Sequence, residues 1–274
     1  PSQYPQGHGG PAQQRPGFLR GDWLARQLFR PGAPLRDLRP VGGAVMEAKI
    51  PVLYEDNHLL VVEKPANLPS QADASGDPDL LTLLKQDIKI RYNKPGNVYL
   101  GLVHRLDRPV GGVMVFAKTS KAAARLSEQV RNHTMKKEYL AIVHGTPANP
   151  RDTLRHFLWK DTRNNKVTAY LQPVAGAREA ILDYQLLATV KELSLVRINL
   201  HTGRSHQIRV QFATSGHPLW GDQKYGAGLN QPGQQLALWS HGLVLLHPTK
   251  GQEMTFISSP PANLPPWDNF RSFL

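Results

Sequence analysis

The sequence predicts an α+β fold with a mixed, largely antiparallel sheet and flanking helices, and two observations carry that prediction. From residue 51 onward, short apolar runs of strand length recur between turn residues, and they outnumber the stretches with helical periodicity. The helical stretches also fail to alternate strictly with the strand-like runs, as a parallel βαβ repeat requires. No internal repeat of fixed period is visible.

The elements follow in order. PVLYEDNHLLVVEKP, residues 51–65, gives two apolar runs around an acidic turn, the pattern of a β-hairpin. LLTLLKQDIKIRY, 80–92, reads as a helix. VYLGLVHRLD, 98–107, reads as a strand, and VMVFAKT, 113–119, as a buried strand that follows a turn at Gly111-Gly112. Ser120 is expected to cap a helix in which Ala122, Leu126 and Val130 recur every four residues. KKEYLAIVHG, 136–145, is again a strand. Beyond Pro147 come further strand-like runs, including AILDYQLLATV (180–190) and SLVRINL (194–200). A turn at His201 to Arg204 then leads into a helix over SHQIRVQFAT, 205–214. SHGLVLLHPTKGQEMTFISSPP, 240–261, reads as a second hairpin with its polar turn at TKGQ.

Residues 1–45 differ from the rest. They are rich in Pro, Gln and Gly, with six Arg, two Asp and no Lys, and read as a flexible basic arm ahead of a folded domain spanning 46–274. Met46 is a candidate natural start. The chain carries 33 Lys and Arg against 21 Asp and Glu, a net charge of +12; the arm contributes +4, so +8 remains on the body. That excess points to a polyanionic partner, nucleic acid first, and says nothing of chemistry. The absence of cysteine removes disulfides, thiolate zinc sites and a cysteine nucleophile. No run of about 18 apolar residues occurs, so no membrane span is expected.

Two segments could carry chemistry. In GLVHRLDRPVGG, strand alternation puts Arg105 and Asp107 on one side and His104 and Leu106 on the other, a carboxylate beside a guanidinium where the chain turns. For those residues alone a surface ion pair at a strand end is the plainer account. In HTGRSHQIRVQFATSGHPLWGD, a tight turn enters a helix whose spacing aligns His206, Arg209 and Ala213; an ordinary basic helix fits those residues equally. Tyr139 shares a strand face with Lys137, Ala141 and Val143, either packed in the core or presenting its ring to a base. Rival motifs fail. The segment from Gly112 to Thr119 lacks the second glycine of a P-loop, the eleven His show no HxxxH pair, and Ser205 beside His206 makes no nucleophile dyad by adjacency alone.

HRLD at 104–107, followed by AKTSKAA, KKEYLAIVHG and TGRSHQIRVQF, resembles the RluA-type RNA pseudouridine synthases in motif and in order. The likeness covers roughly residues 51–270, including the lead-in LYEDNHLLVVEKPANLP and the closing HPTKGQEMTF. It implies the pseudouridine synthase catalytic fold. It also implies a catalytic carboxylate at Asp107, an active-site Tyr139, Arg209 paired with the carboxylate, and Arg105 helping to displace the target base. His104, Arg105, Arg108, Arg204, His206 and Gln207 are the residues then expected to contact substrate or RNA. One departure concerns HRLDRPVGG, where Val110 and Gly111 stand in place of the Thr and Ser of many relatives.

The reaction implied breaks the bond from ribose to a uracil nitrogen and rejoins the ring through carbon. No atoms are gained, so no cofactor or metal is expected. A structured RNA is the expected partner, ribosomal in preference to transfer RNA, for a monomeric enzyme of the cytoplasm; an RNA chaperone without turnover is the alternative. Deleting residues 1–45 is expected to leave the fold intact, as read by circular dichroism and thermal melting, and to weaken RNA affinity modestly.

Overall fold

The structure, a computed structural model, describes residues 50–274; the arm expected over residues 1–45 and the reading of Met46 as the natural start lie outside the described residues. The element order is β1 (Val52–Glu55), β2 (Leu59–Lys64), α1 (Leu80–Arg91), β3 (Gly101–Leu102), β4 (Gly111–Ala117), α2 (Ser120–Arg131), β5 (Lys136–His144), β6 (Arg151–Asp161), β7 (Lys166–Tyr170), β8 (Arg178–Val190), β9 (Leu193–Leu200), α3 (Gln207–Thr214), β10 (Leu238–Leu246) and β11 (Glu253–Ile257), closed by a 3-10 helix at Trp267–Phe273. The strands form one sheet in the order β1-β2-β4-β10-β5-β9-β8-β6-β7, with β11 added to β10 and β3 to β4. Among these pairings only β4 with β10 is parallel, so the sheet is mixed and largely antiparallel, as the sequence predicts.

Both faces of the sheet are covered where β2 and β4 lie, which is why those strands read as nearly unbroken apolar runs. Leu60, Val62, Met114 and Phe116 face α1, whose Leu80, Leu84 and Ile88 line its buried side. Leu59, Val61, Val113 and Val115 face α2 through Ala122 and Leu126. Asp79 caps α1 by accepting from the Thr82 N–H at 3.0 Å. The α2 cap is Thr119, one residue earlier than expected, whose Oγ1 accepts from the Ala122 N–H at 3.2 Å. Further along the sheet, Tyr139, Ala141 and Val143 share the α1 face with Ile208 and Phe212 of α3. Leu140 and Ile142 pack on the opposite face against Trp239, Trp267 and Phe270.

Two expectations are corrected here. The strand read over 98–107 pairs only at Gly101 and Leu102, and residues 103–107 have no strand partner. The reason lies in β4, whose far end takes β3 while its first residues pair with β10, leaving the edge between them without a neighbouring ladder. Gly111-Gly112 is accordingly no turn. Both residues open β4, and the reversal lies one step earlier, where Val110 N–H donates to the Asp107 carbonyl at 3.0 Å across Arg108 and Pro109. The glycines serve a close approach instead. A Cβ on Gly111 would lie 2.2 Å from the Trp239 ring, and Gly112, at φ +112°, meets the Ser240 carbonyl oxygen at the same distance. Val110 is buried in the core. Gly112→Ala is therefore expected to destabilise the fold by about 2–4 kcal/mol in urea unfolding, through steric clash and backbone strain together.

Candidate active site

The stretch from His104 to Pro109 is held by side chains where a neighbouring strand is missing. His104 Nε2 accepts the Val115 N–H at 3.1 Å, the donor that the gap in the β4 ladder would otherwise leave bare. Ser70 Oγ donates to the Leu106 carbonyl at 2.8 Å and accepts the Leu106 N–H at 3.2 Å. Gln235 Nε2 donates to the Pro109 carbonyl at 2.7 Å. Lys64, fully buried at the end of β2, donates to the carbonyls of Pro65, Leu68 and Arg108 at 2.9, 2.6 and 3.1 Å. Burial pushes the Lys64 ammonium down to about 7 against the opposing pull of Asp107, and burial pushes the His104 imidazole down to about 3, so that ring is a neutral acceptor. Asp107 thus projects from a segment whose backbone is fixed on both sides of it, with its carboxylate 30% exposed toward a cleft.

Arg209 meets that carboxylate from α3, with Nη1 3.3 Å from Asp107 Oδ2. The guanidinium is itself clamped by Asp222, Nε to Oδ2 and Nη2 to Oδ1, both at 2.8 Å, in a fully buried bidentate pair. Asp222 also accepts the N–H groups of Lys224 and Tyr225. Burial opposes the charged form of Asp222, and Arg209 with those N–H donors outweighs it, holding the carboxyl below its usual range. The Arg209 guanidinium lies 5.3 Å from the Tyr225 ring centroid. His206 precedes α3 in a left-handed conformation, φ 52°, so the helix begins two residues later than the sequence reading. Its ring bonds Tyr225 Oη at 2.6 Å and brings Nε2 to 3.9 Å from Asp107 Oδ2.

A cavity of about 660 Å³ opens over these groups, lined by Asp107, Tyr139, Arg209, Arg105, Arg204 and Lys137 among others. Tyr139 is buried in its wall, and burial followed by the nearby Asp107 charge raises its hydroxyl pKa. A second cavity of about 580 Å³ shares Arg105, Asp107, His206 and Arg209 with the first and runs on past Lys160 and Lys224. The structure therefore brings Asp107, Tyr139, Arg209, His206, Arg105 and Arg204 to one cleft. Arg108 lines the second cavity and pairs with Asp77 at 2.5 Å. Gln207 is buried beneath the 202–204 turn; its Oε1 accepts from Thr202 Oγ1 and the Arg204 N–H, and its amide donates to the Ile181 carbonyl. Its polar groups are spent inside the protein, so it shapes the turn. Sequence reasoning passed over Asp222 and Lys64. The one lies in the GD that ends the second motif, and the other is a lone lysine closing the apolar run LLVVEK.

The sequence model for RNA pseudouridylate synthases matches residues 58–214, more than half of the chain. The chain belongs to this family. It is an RNA pseudouridine synthase, an enzyme that isomerises uridine in RNA. It is 33% identical over 233 residues to an uncharacterised RNA pseudouridine synthase of Synechocystis, covering 83% of this chain and 70% of the relative. It is 31% identical over 236 residues to ribosomal large subunit pseudouridine synthase D of Zymomonas mobilis, covering 82% and 74% respectively. Among solved structures, human RNA pseudouridylate synthase domain containing 4 superposes with a TM-score of 0.65 at 24% identity, over 77% of this chain and 88% of that one, a likeness of fold.

The Arg209–Asp222 pair gives the synthase a stability dependence on pH with a definite sign. A carboxyl whose folded pKa is depressed contributes its stability fully above the unfolded value, near about 3.9, and loses it as the pH falls through the folded value. Asp222→Ala leaves the Arg209 charge buried with only its longer contact to Asp107. We expect it to cost about 3–5 kcal/mol at neutral pH by chemical denaturation. We also expect it to remove part of the decline in stability that the parent shows below about pH 4.

Proposed function

We propose that this synthase converts specific uridines to pseudouridine in structured ribosomal RNA, with Asp107 as the reacting carboxylate. The observation that carries the proposal is the contact of Arg209 Nη1 with Asp107 Oδ2 at 3.3 Å in a cleft large enough for a nucleotide. The 31% identity to a synthase named for the ribosomal large subunit supports the choice of RNA. The body's own basic excess supports phosphate binding that does not depend on residues 1–45.

In this reading the uridine leaves its helix, at a cost of a few kcal/mol, and enters the first cavity. Arg105, exposed at the rim one residue from Leu106, occupies the space that the base vacates. Asp107 acts on the nucleoside while Arg209 fixes its orientation from a rigid helix. The bond between C1′ and N1 breaks, the uracil turns while held against Tyr139, and a bond from C1′ to C5 forms. The C5 proton departs and N1 regains one, so atoms balance without a cofactor. Tyr139, with its hydroxyl held protonated by burial, is suited to stacking and to hydrogen bonding with the detached ring. We assign the enzyme to the cytoplasm as a monomer.

Pseudouridine mapping on total RNA incubated with the protein tests this, beside an Asp107→Asn control that keeps the shape and removes the charge. New sites in ribosomal RNA with the parent, and a loss on the order of 10³-fold or more in rate with the control, are the expected result. Sites made equally by both would remove Asp107 from the mechanism. Sites confined to transfer RNA would replace the substrate, and tight RNA binding without any new site would leave an RNA-binding protein without turnover.

A further inference from the structure

Lys137 differs from every other cation of the first cavity. It is the second residue of β5, and strand alternation puts it on the face that carries Tyr139. It is half-buried, and burial alone accounts for the lowering of its pKa; among the described residues it has no hydrogen-bond or ion-pair partner. Its Nζ rests against the 202–204 turn, where a Cβ on Gly203 would lie 3.8 Å away, and its charge is felt by the buried His104 ring. The neighbouring carboxylates are engaged elsewhere. Glu138 faces the other way, toward Arg197 at 3.6 Å and His241 at 3.8 Å. Asp107, the one carboxylate among the residues lining this cavity, is engaged by Arg209 and His206.

Lysines seldom stay in such a position. The flexible stem ordinarily lets the ammonium reach a carboxylate, and a partly desolvated ammonium without one is a cost to the free protein. A ligand that brings an anion to this point removes that cost on binding. Within the cavity the walls hold Arg105, Arg131, Arg204 and Arg209 as further cations, so the local field favours an anion strongly. In an RNA the anion is a phosphodiester.

Resting on the proposed reading of Asp107 and Tyr139, we infer that Lys137 binds a phosphate bordering the target uridine. The uracil then lies over Tyr139 while its sugar-phosphate runs along β5 toward the turn at Gly203. Two residues along a strand span roughly 6.7 Å, about the reach from a uracil ring to the phosphate of its own nucleotide. Contact at this phosphate sets the nucleoside's depth in the cleft and thereby the approach of its anomeric carbon to Asp107. Lys137 is on this account a substrate-binding residue whose charge, and not its proton, is what the reaction uses.

The test pairs a protein change with a substrate change. Short RNA hairpins bearing a mapped target would carry one neutral methylphosphonate, either 5′ or 3′ of the uridine, and be assayed with the parent and with Lys137→Met. On unmodified RNA the variant should lose roughly 10- to 100-fold in kcat/KM, the worth of a hydrogen bond between charged groups. The parent should lose a similar factor when one of the two phosphates is neutralised, and the combination should lose little more than either change alone. Lys137→Arg should retain most of the activity, which a role as a proton-transfer base would forbid. In binding, the slope of log K against log salt should fall by about 0.7–0.9 in Lys137→Met, as for one phosphate lost. The melting temperature should be unchanged or higher, since an unpaired charge has been removed; Lys137→Gln serves as a second neutral variant should Met disturb packing.

Fully additive losses at both phosphate positions, or an unaltered salt slope in both neutral variants, would overturn the assignment. Failure of the parent to form pseudouridine would instead count against the reading of Asp107. The salt-slope comparison would still judge Lys137, because it requires binding only.

Discussion

The buried bidentate pair between Arg209 and Asp222 is the interaction on which the site depends. A guanidinium that pointed at Asp107 from a flexible stem would sample many directions, and a bond to a half-exposed carboxylate at 3.3 Å would not hold it. Asp222 removes that freedom by gripping two of the guanidinium nitrogens, and is itself fixed by two backbone N–H groups. The remaining Nη1 is thereby aimed. Tyr225 links the same assembly to His206, so the two groups that approach Asp107 from α3 are oriented by one short loop.

The opposite side of the cleft achieves order by different means. Hydrogen-bonded neighbours normally rigidify an extended segment, yet the segment bearing Asp107 runs where the β4 ladder has a gap. Three side chains from distant parts of the chain, Lys64, Ser70 and Gln235, together with His104 of the segment itself, take over the bonds that a neighbouring strand would have made. The arrangement leaves the carboxylate unobstructed, because a true strand at that place would have filled the cleft. The price is paid in burial of a lysine and a neutral histidine, both shifted far from their ordinary titration range.

Much of this was legible in the sequence, for reasons that can be traced. The hairpins at 51–65 and 240–261 are local, with their turns and alternating apolar residues adjacent in the chain, and both form as read. The helix over 80–92 carries its own cap and periodicity. The run through His104 and Asp107 was misread as strand because its alternation is real: Leu106 is buried and Arg105 exposed, yet alternation reports burial and not pairing. Gly111-Gly112 looked like a turn because nothing local reveals that Trp239 and Ser240, more than a hundred residues away, press against their backbone. Asp107 and Arg209 could be matched to each other through family motifs. Asp222 could not be found by spacing, since its partnership with Arg209 depends on how the loop after α3 folds back.

The two cavities that meet at Asp107 bear on how a long polymer gains access. A blind pocket admits a free end or a small molecule, whereas a nucleotide inside an RNA chain presents neither. Here the carboxylate stands where two adjoining hollows share Arg105, His206 and Arg209, so it is open to approach from either side. A strand can therefore be laid in broadside, with one nucleotide dipping to the floor and its neighbours leaving in both directions. Such a trough sets no requirement for a terminus, and the product departs as it arrived, by lifting out and not by threading through.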